Sequence, residues 1–298
     1  MRVVVAGSHG LIGSALVQHL QAGGHEVQRL VRRPARAADE ISWDPGEGRL
    51  YAGDLAGAHA VVNLGGAGVG DRRWTEAYRR TILQSRTRPT ALLARTLAEA
   101  SDGPRVLLQG SAVGYYGDRG DEVLTEASPR GEGFLADVVE AWEQSTTAAR
   151  EAGIRVAHLR TGIVMSRSGG SFGRLLPLLR LGVGGPLGAG RNFWPWITLV
   201  DQVRAIEHLL TAEVSGAVNV VGPDPRPQGD VVRAVARELH RPAVLAVPRL
   251  ALRVAVGEFA DDILASQRAV PEALLASGFT FRHPDVAAAA RWVTGRDD

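Results

Sequence analysis

The stretch that decides the fold class is Val3–Gly13, which reads VVVAGSHGLIG. A β-branched run of this kind is typical of a strand, and the apolar residues after the turn recur at helical spacing. Gly7, Gly10 and Gly13 stand at GxxGxxG spacing: the first permits a tight turn, the second lets a pyrophosphate approach the backbone, and the third lets helix and strand pack closely. The helix N-terminus adds unpaired N–H donors and positive potential. This context predicts a dinucleotide-binding turn, and the alternative is a tight turn with a purely structural role.

Strand and helix patterns alternate through the first half of the chain. The run Val27–Val31 completes a strand-helix-strand unit with Arg2–Ala6, of the length that a right-handed parallel crossover requires. Further apolar runs and helical stretches alternate at Ala60–Leu64, Thr75–Ala100, Val106–Leu108, Phe134–Ala152 and Val156–Leu159. The pattern predicts an α/β fold built on one doubly wound parallel sheet of the Rossmann type.

The second half of the chain has a different texture, because glycine- and proline-rich loops follow Arg160. We expect a Rossmann domain over residues 1–165 and a smaller, substrate-side lobe over residues 166–298, with a C-terminal helical segment from about residue 248. The run Ala217–Val221 has the pattern of a strand that returns to the main sheet. The segment from about 200 to 222 is therefore expected to complete that sheet.

Composition excludes several classes of function. The 298 residues include no cysteine, and the eight histidines show no close ligand spacing, so we expect no metal site and no disulfide. The net charge of +2 comes from dispersed charges and gives nucleic-acid binding no support. No run approaches the roughly 20 apolar residues that span a bilayer, and no signal-peptide pattern opens the sequence. We therefore expect no membrane association and a cytoplasmic protein, either monomer or homodimer.

Two arginines, Arg32 and Arg33, follow the second predicted strand. At this distance from the glycine turn, NAD-specific folds carry an acidic residue that binds the ribose 2′-hydroxyl. A guanidinium group suits a 2′-phosphate, whereas a carboxylate would repel it. The sequence therefore predicts a preference for NADP(H). The alternative is that these are two solvated arginines at the end of a strand.

A second glycine-rich segment, NLGGAG, begins at Asn63 and follows the next strand. It is expected at the carboxyl edge of the sheet, where doubly wound folds keep their ligands. Gly65 and Gly66 would let the backbone approach the cofactor, or they serve only as turn formers. On the long helix that follows, Arg86 either points its charge at the pyrophosphate or is solvated.

Candidate catalytic hydroxyls follow the strand that begins at Val106, in the segment GSAVGYYGDRGDE. Ser111 is expected just past this strand, with Tyr115 and Tyr116 a few residues on, so that all three approach the nicotinamide position. Their hydroxyls are able to hydrogen-bond a carbonyl or alcohol substrate. The alternative is a polar loop with half-buried tyrosines.

These segments together resemble the extended short-chain dehydrogenase/reductase superfamily, specifically the NAD(P)-dependent epimerase-family proteins of the cell-division-inhibitor-like branch. The resemblance covers the whole chain. It is carried by GSHGLIG, NLGGAG, the Arg86 helix, SAVGYYGDRGDEVLTE, LRTGIV, LGVGGPLGAGRNFWPWI with Asp201, and the segment from Pro248 through SQRAVPEALLASGFTFRHP. The last segment resembles a small domain that closes members of this branch.

The resemblance implies a set of cofactor contacts. They are Gly7, Ser8, His9, Gly10, Leu11, Ile12, Gly13, Arg32, Leu64, Gly65, Arg86 and Ile163. For Arg86 and Ile163 the expectation rests on the resemblance. Members of the branch look like NADP-binding proteins without an assigned substrate.

The usual catalytic pair of the superfamily is missing here. Active members use a Tyr-xxx-Lys pair, but this chain reads FLADV at Phe134–Val138, where that pair is expected. The chain has no lysine at all, and arginine is a poor proton relay because it stays protonated. An unassisted tyrosine, with a pKa of about 10, can still donate a hydrogen bond or a proton. We hypothesise that Tyr116, with Ser111, polarises a substrate carbonyl in place of the pair.

The second lobe offers fewer signals. Trp194 and Trp196 of FWPWI, with the GGPLG loop at Gly184–Gly188, either wall a substrate pocket or serve packing. Arg160 either faces an anionic substrate or forms a salt bridge with a neighbour such as Asp201.

Two functions stay open from the sequence, and a third has weaker support. One is an NADP(H)-dependent oxidoreductase or epimerase-like protein that acts on a small carbonyl or sugar-like substrate. The other is a catalytically weak NADP(H)-binding sensor or regulatory protein, which the missing Tyr-Lys pair supports. A protein-interaction module, the third possibility, rests only on the cell-division label. Because one fold hosts many chemistries, the site has to decide among them.

Overall fold

The structure is a computed structural model that describes residues 1–296. Its strands are β1 (Arg2–Ala6), β2 (Glu26–Val31), β3 (Glu40–Ser42), β4 (Ala60–Asn63), β5 (Val106–Ala112), β6 (Val123–Leu124), β7 (Arg155–Thr161), β8 (Ile163–Met165), β9 (Phe193–Trp194), β10 (Trp196–Thr198), β11 (Gly216–Val220), β12 (Arg226–Pro227) and β13 (Arg268–Ala269). Its helices are α1 (Leu11–Ala22), α2 (Glu76–Glu99), α3 (Phe134–Gln144), α4 (Thr147–Glu151), α5 (Gly170–Arg180), α6 (Leu199–Thr211), α7 (Gln228–Glu238), α8 (Arg249–Val256), α9 (Phe259–Ile263), α10 (Glu272–Ala276) and α11 (Val286–Thr294). Single 3₁₀ turns lie at Ala52–Leu55 and Val113–Tyr116.

Seven strands form the central sheet in the order β3-β2-β1-β4-β5-β7-β11, and every neighbouring pair is parallel. The strand order reverses between β1 and β4, which is the switch point where open parallel sheets bind ligands at their carboxyl edge. The predicted α/β fold with a doubly wound parallel sheet is confirmed.

Burial on both faces explains why β1 has a continuous apolar run instead of an alternating one. Val3 and Val5 pack with one cluster, which includes residues of α1 and α6. Val4 and Ala6 pack with the other, which includes residues of α2. The two helix layers therefore cover the sheet from opposite sides and fix the position of its carboxyl edge.

The chain returns to the sheet late, as β11 pairs with β7. A third apolar cluster lies outside the two sheet layers and gathers Phe172, Trp196 and residues of α7 and α11. Segments of this outer cluster therefore come both before and after β11 in the sequence. Division of the chain near residue 165 stays a prediction. Among residues 1–296, no helix has both the length and the apolar character that a membrane crossing would require.

Two predicted elements differ from the structure. The helix expected at Phe134–Ala152 is divided into α3 and α4, because the hydroxyls of Ser145 and Thr146 bond to carbonyls of the preceding turn, at 2.7 Å each. Strand β5 runs on to Ala112, so that Ser111 lies within the strand and pairs with Arg160 of β7.

Candidate functional site

In the glycine turn between β1 and α1, Gly7 and Gly13 lie so close to other backbone atoms that neither has room for a side chain. Gly7 has φ +79°, in the left-handed region, and a Cβ there would lie 2.8 Å from the backbone nitrogen of Gly65. A Cβ at Gly13 would lie 2.1 Å from the carbonyl oxygen of Gly7. No side chain of the described residues caps α1 at Gly10, so the first amides of this 12-residue helix are left for a ligand or solvent.

A cavity of about 580 Å³ opens beside this turn. Its walls are Gly7, Gly10, Leu11, Ile12, Gly13, Leu64, Gly66, Gly68, Val69, Arg86, Gly110 to Gly114, Leu135, Val138, Val139, Trp142, Thr161 to Val164, Gly170, Phe172, Trp194, Pro195, Phe259, Asp262, Ile263, Ala265 and Gln267. The cavity thus extends from the glycine turn, past the carboxyl ends of β4, β5 and β7, to the segment around α9. Most of these residues are apolar or glycine, as is usual for a small-molecule site.

Many of the predicted cofactor residues meet in this cavity. Of those named from the sequence, Gly7, Gly10, Leu11, Ile12, Gly13, Leu64, Gly66, Arg86 and Ile163 line it. Ser8, His9 and Gly65 belong to the same two loops but not to the cavity wall; Ser8 is buried and its hydroxyl lies 3.3 Å from Nδ1 of His9.

Arg86 has an unusual environment for a cation. Its guanidinium donates to the carbonyl of Ile82 at 3.0 Å and lies 5.2 Å from the ring centre of Trp142, and it makes no ion pair within the described chain. A Cβ at Gly66 would lie 3.1 Å from the guanidinium carbon. Burial lowers the pKa of Arg86 to about 10, which still leaves it charged at neutral pH. The cavity therefore holds an enclosed positive charge that has no ion-pair partner among residues 1–296.

Arg32 and Arg33 do not line this cavity; they line a separate one of about 320 Å³ with residues that include Ser42 and Arg49. Arg33 is engaged, because its guanidinium donates two hydrogen bonds of 2.7 Å to the carboxylate of Glu40. These bonds, with a backbone bond and the charge of Arg33, lower the pKa of Glu40 to about 2. Arg32 is exposed and makes no ion pair among residues 1–296.

The three predicted catalytic hydroxyls are not brought together at the cavity. Ser111 lines it, but its Oγ donates to Oε1 of Glu143 at 2.6 Å. Tyr116 is fully buried, and its hydroxyl donates to Oδ1 of Asn219 at 2.7 Å. Tyr115 lines a different cavity, of about 830 Å³, with residues of α3, β7 and β11. Only Ser111 is presented to the glycine-lined cavity.

The remaining predictions for the second half of the chain have mixed outcomes. Arg160 forms a salt bridge, as the second alternative expected, but its partner is Glu143 and not Asp201, which pairs with Arg204. Trp194 lines the glycine-lined cavity, but Trp196 is buried in the outer cluster and donates to a backbone carbonyl at 2.9 Å. No residue of the GGPLG loop reaches that wall.

Sequence reasoning missed the residues that close the cavity from the C-terminal side, Phe259, Asp262, Ile263 and Gln267. They lie in and after the five-residue helix α9, about 250 positions from the glycine turn. Burial and the negative charge of Asp261 raise the pKa of Asp262 to about 6. The available signal was the two adjacent aspartates in an otherwise apolar short helix, because neighbouring side chains on a helix point in different directions and one of them is readily buried.

The seven-stranded parallel sheet, with its glycine turn at the switch point and a ligand-sized cavity beside it, defines a protein of the Rossmann class. A family model described as the NAD dependent epimerase/dehydratase family matches residues 3–222, and a domain of unknown function (DUF1731) matches residues 247–293. The chain belongs to the NAD dependent epimerase/dehydratase family. The second match agrees with the resemblance of the C-terminal segment to a closing domain, and the link to cell division stays a prediction.

Relatives cover the chain almost end to end. It is 42% identical over 296 residues to "Epimerase family protein Mb2239" of Mycobacterium bovis, which spans 99% of this chain and 98% of that protein. Its structure resembles that of human epimerase family protein SDR39U1 (isoform2) with NADPH, with a TM-score of 0.91, 32% identity and 99% of both chains covered. It also resembles a nucleoside-diphosphate sugar epimerase from Corynebacterium glutamicum, with a TM-score of 0.79, 37% identity, 98% of this chain and 57% of that chain covered.

Proposed function

We propose that this protein is an NADP(H)-dependent oxidoreductase, epimerase-like in fold, that acts on a small carbonyl or sugar-like substrate. One observation carries the proposal: the cavity is faced both by a glycine turn that excludes a Cβ at Gly7 and Gly13 and by the guanidinium of Arg86, which has no ion pair among residues 1–296. The pyrophosphate of a dinucleotide is the kind of anion that a helix N-terminus and an enclosed cation bind. When bound, the cofactor would supply or accept a hydride.

The residues present fit such a cofactor. The amides at the start of α1 and Arg86 would hold the pyrophosphate, and Leu64, Gly66 and Ile163 would pack against the remainder. Arg32, the unpaired arginine after β2, would receive the 2′-phosphate, whereas Arg33 is occupied by Glu40. The human relative whose structure was solved with NADPH supports this assignment.

Calorimetry with NADPH and NADH tests the proposal. We expect the purified protein to bind NADPH more tightly than NADH, and Arg86→Met to weaken NADPH binding by roughly tenfold or more, because a charge-assisted contact is lost. Arg80→Met is the matched control, since Arg80 is on the same helix but is exposed and pairs with Glu76. A protein that binds neither coenzyme would refute the proposal.

A sensor that binds NADP(H) without turnover is the second candidate. The observation in its favour is that no tyrosine, histidine or lysine lines the cavity within the described chain. NADPH oxidation with aldehydes, ketones and nucleotide-sugars separates the two: saturable turnover supports the oxidoreductase, and tight binding without turnover supports the sensor. We also propose that the protein is cytoplasmic and that its Rossmann domain ends near residue 165.

A further inference from the structure

Charge is scarce in the glycine-lined cavity. Of the side chains that line it within residues 1–296, only Arg86 and Asp262 are ionisable acids or bases. The remaining walls are apolar, glycine or neutral polar groups such as Ser111, Thr161 and Gln267. Any proton that a substrate exchanges inside the cavity must therefore come from a very short list of groups.

Asp262 has no ion pair among residues 1–296, because the nearby arginines pair with other carboxylates. The adjacent Asp261 pairs with Arg249 at 2.6 Å and Arg253 at 2.9 Å, which belong to α8. Arg79 of α2, whose charge also reaches Asp262, pairs with Glu258. No ion pair to the side chain of Asp262 exists among the described residues.

The protonation of Asp262 follows from these surroundings. Burial raises its pKa, and the negative charge of Asp261 raises it further. A hydrogen bond to the backbone of Asp262 and the charge of Arg79 oppose them only in part, which leaves a pKa of about 6. A carboxyl group with such a pKa is able to donate a proton in slightly acidic to neutral solution. Arg86, with a pKa of about 10, stays charged there.

The hydroxyl groups near the cavity are poorer donors. The Ser111 hydroxyl donates a hydrogen bond to Glu143, and the fully buried Tyr116 hydroxyl donates one to Asn219. Burial also raises the pKa of Tyr116, although Arg160 and Asn219 work in the other direction. Neither hydroxyl offers a proton to the cavity without breaking a buried hydrogen bond.

We propose that Asp262 is the catalytic acid of this cavity and that its substrate is an uncharged carbonyl compound; this rests on the proposed function. On reduction, the carbonyl carbon gains the hydride that NADPH gives up, and the carbonyl oxygen gains the proton of the Asp262 carboxyl. The C=O double bond becomes a C–H and an O–H bond, NADPH becomes NADP⁺, and the Asp262 carboxylate is reprotonated from solvent.

The substrate class follows from the same count of charges. A nucleotide-sugar carries a diphosphate. Among residues 1–296, Arg86 is the single cation on the cavity wall, and the pyrophosphate of the cofactor would already be bound to it. A second diphosphate would then be held without a cation and close to the carboxylate of Asp262, which is unfavourable in an enclosed site. A neutral aldehyde or ketone meets neither problem.

The experiment compares wild-type protein with Asp262→Asn, which removes the proton but keeps the shape. We expect NADPH affinity by calorimetry to change less than threefold, and kcat for neutral aldehydes and ketones at pH 6 to fall by roughly 100-fold, a typical contribution of general acid catalysis. The wild-type kcat should decline as pH rises above about 6, since the protonated form is the donor. This dependence should be absent in Asp262→Asn.

A readout without cofactor is the carboxyl ¹³C shift of Asp262 in aspartate-labelled protein, which should titrate near pH 6 and vanish in Asp262→Asn. Asp230→Asn, at an exposed pair with Arg233 on α7, is the control and should leave every measurement unchanged. The inference would be overturned if Asp262→Asn kept the wild-type kcat, or if the Asp262 carboxyl titrated below pH 5. It would also be overturned if the protein bound NADPH but turned over only nucleotide-sugars or no substrate at all. Failure of wild-type protein to bind NADPH would instead refute the proposed function on which the inference rests.

Discussion

Arg160 and Glu143 form a two-pronged ion pair inside the protein: Nε donates to Oε1 at 2.9 Å and Nη2 donates to Oε2 at 3.0 Å. Both side chains are largely buried, at 5% and 13% exposure. The pair joins β7 to α3, and it also holds Ser111 through Glu143 and Tyr116 through Arg160. Residues that the sequence suggested for catalysis are thus parts of one buried polar network.

The pH dependence of stability should report this ion pair. Burial disfavours the ionised form of Glu143, but the hydrogen bonds and charge of Arg160 outweigh it, so the pKa of Glu143 is lowered from 4.5. A lowered folded-state pKa contributes stability that is present above pH 4.5 and is lost as pH falls through the folded value. We expect urea unfolding of Glu143→Gln to show lower stability at pH 7 and a flatter decline below pH 4.5 than wild type. Parallel curves for the two proteins would contradict this.

Tyr116→Phe should affect stability and leave turnover intact. The change removes a hydroxyl that bonds to Asn219 at 2.7 Å and to Arg160 at 3.1 Å, so we expect a loss of about 1–2 kcal/mol in the free energy of unfolding. NADPH-dependent turnover should stay within about threefold of wild type, because the hydroxyl does not line the cavity. A large fall in kcat with normal stability would instead support the sequence-based hypothesis that Tyr116 polarises the carbonyl.

Gly13→Ala should disrupt the turn. The new Cβ would lie 2.1 Å from the carbonyl oxygen of Gly7, so backbone must move, at a cost of about 1–3 kcal/mol in stability. Because the displaced backbone is the proposed cofactor cradle, we expect NADPH affinity to fall by at least roughly tenfold. Gly53→Ala is the control, since no atom lies within 4 Å of its added Cβ. Unchanged affinity in a folded Gly13→Ala protein would exclude the turn as the binding site.

Arg32 and Arg33 should differ in their effect on coenzyme choice. Arg32 is exposed and unpaired within the described chain, while Arg33 is bound to Glu40. We expect Arg32→Ala to reduce the ratio of NADPH to NADH affinity by roughly tenfold, through loss of a charge-assisted contact to the 2′-phosphate. Arg33→Ala should have the smaller effect. Calorimetry measures this ratio of NADPH to NADH affinity. If it were equal in wild type and both variants, neither arginine would determine a preference for NADP(H).

Arg86→Met should stabilise the protein in the absence of cofactor. The lowered pKa of Arg86 shows that burial disfavours its charged form, and no carboxylate in the described chain compensates. Replacing it with an apolar side chain of similar length should raise the free energy of unfolding by about 1 kcal/mol at pH 7. Urea titration without and with NADPH checks this, because added NADPH should stabilise wild type more than the variant. A destabilised variant without cofactor would mean that the contacts to Ile82 and Trp142 outweigh the burial of charge.

Much of the candidate site was predictable because its signals are local. Glycines at positions 7, 10 and 13 act on backbone within a few residues of themselves, and Leu64 and Gly66 follow a strand whose edge the fold class already places. What was not predictable is which side chain of a neighbouring pair is engaged by other parts of the protein. The members of each pair, Arg32 with Arg33 and Tyr115 with Tyr116, have the same sequence context. Glu40 engages Arg33, while Asn219 and Arg160 engage the hydroxyl of Tyr116.

The sequence by itself determined the parallel sheet, the crossover from β1 to β2 and the glycine turn, since runs buried on both faces and steric limits at glycine act over short stretches of chain. Only the tertiary structure decided that Tyr116 turns into a buried network and that Asp262 reaches the cavity about 250 residues after the turn. Contacts between distant segments depend on how whole layers pack, and burial at those contacts sets which groups keep a charge. The charge state of these groups is therefore set by the fold and not by any motif.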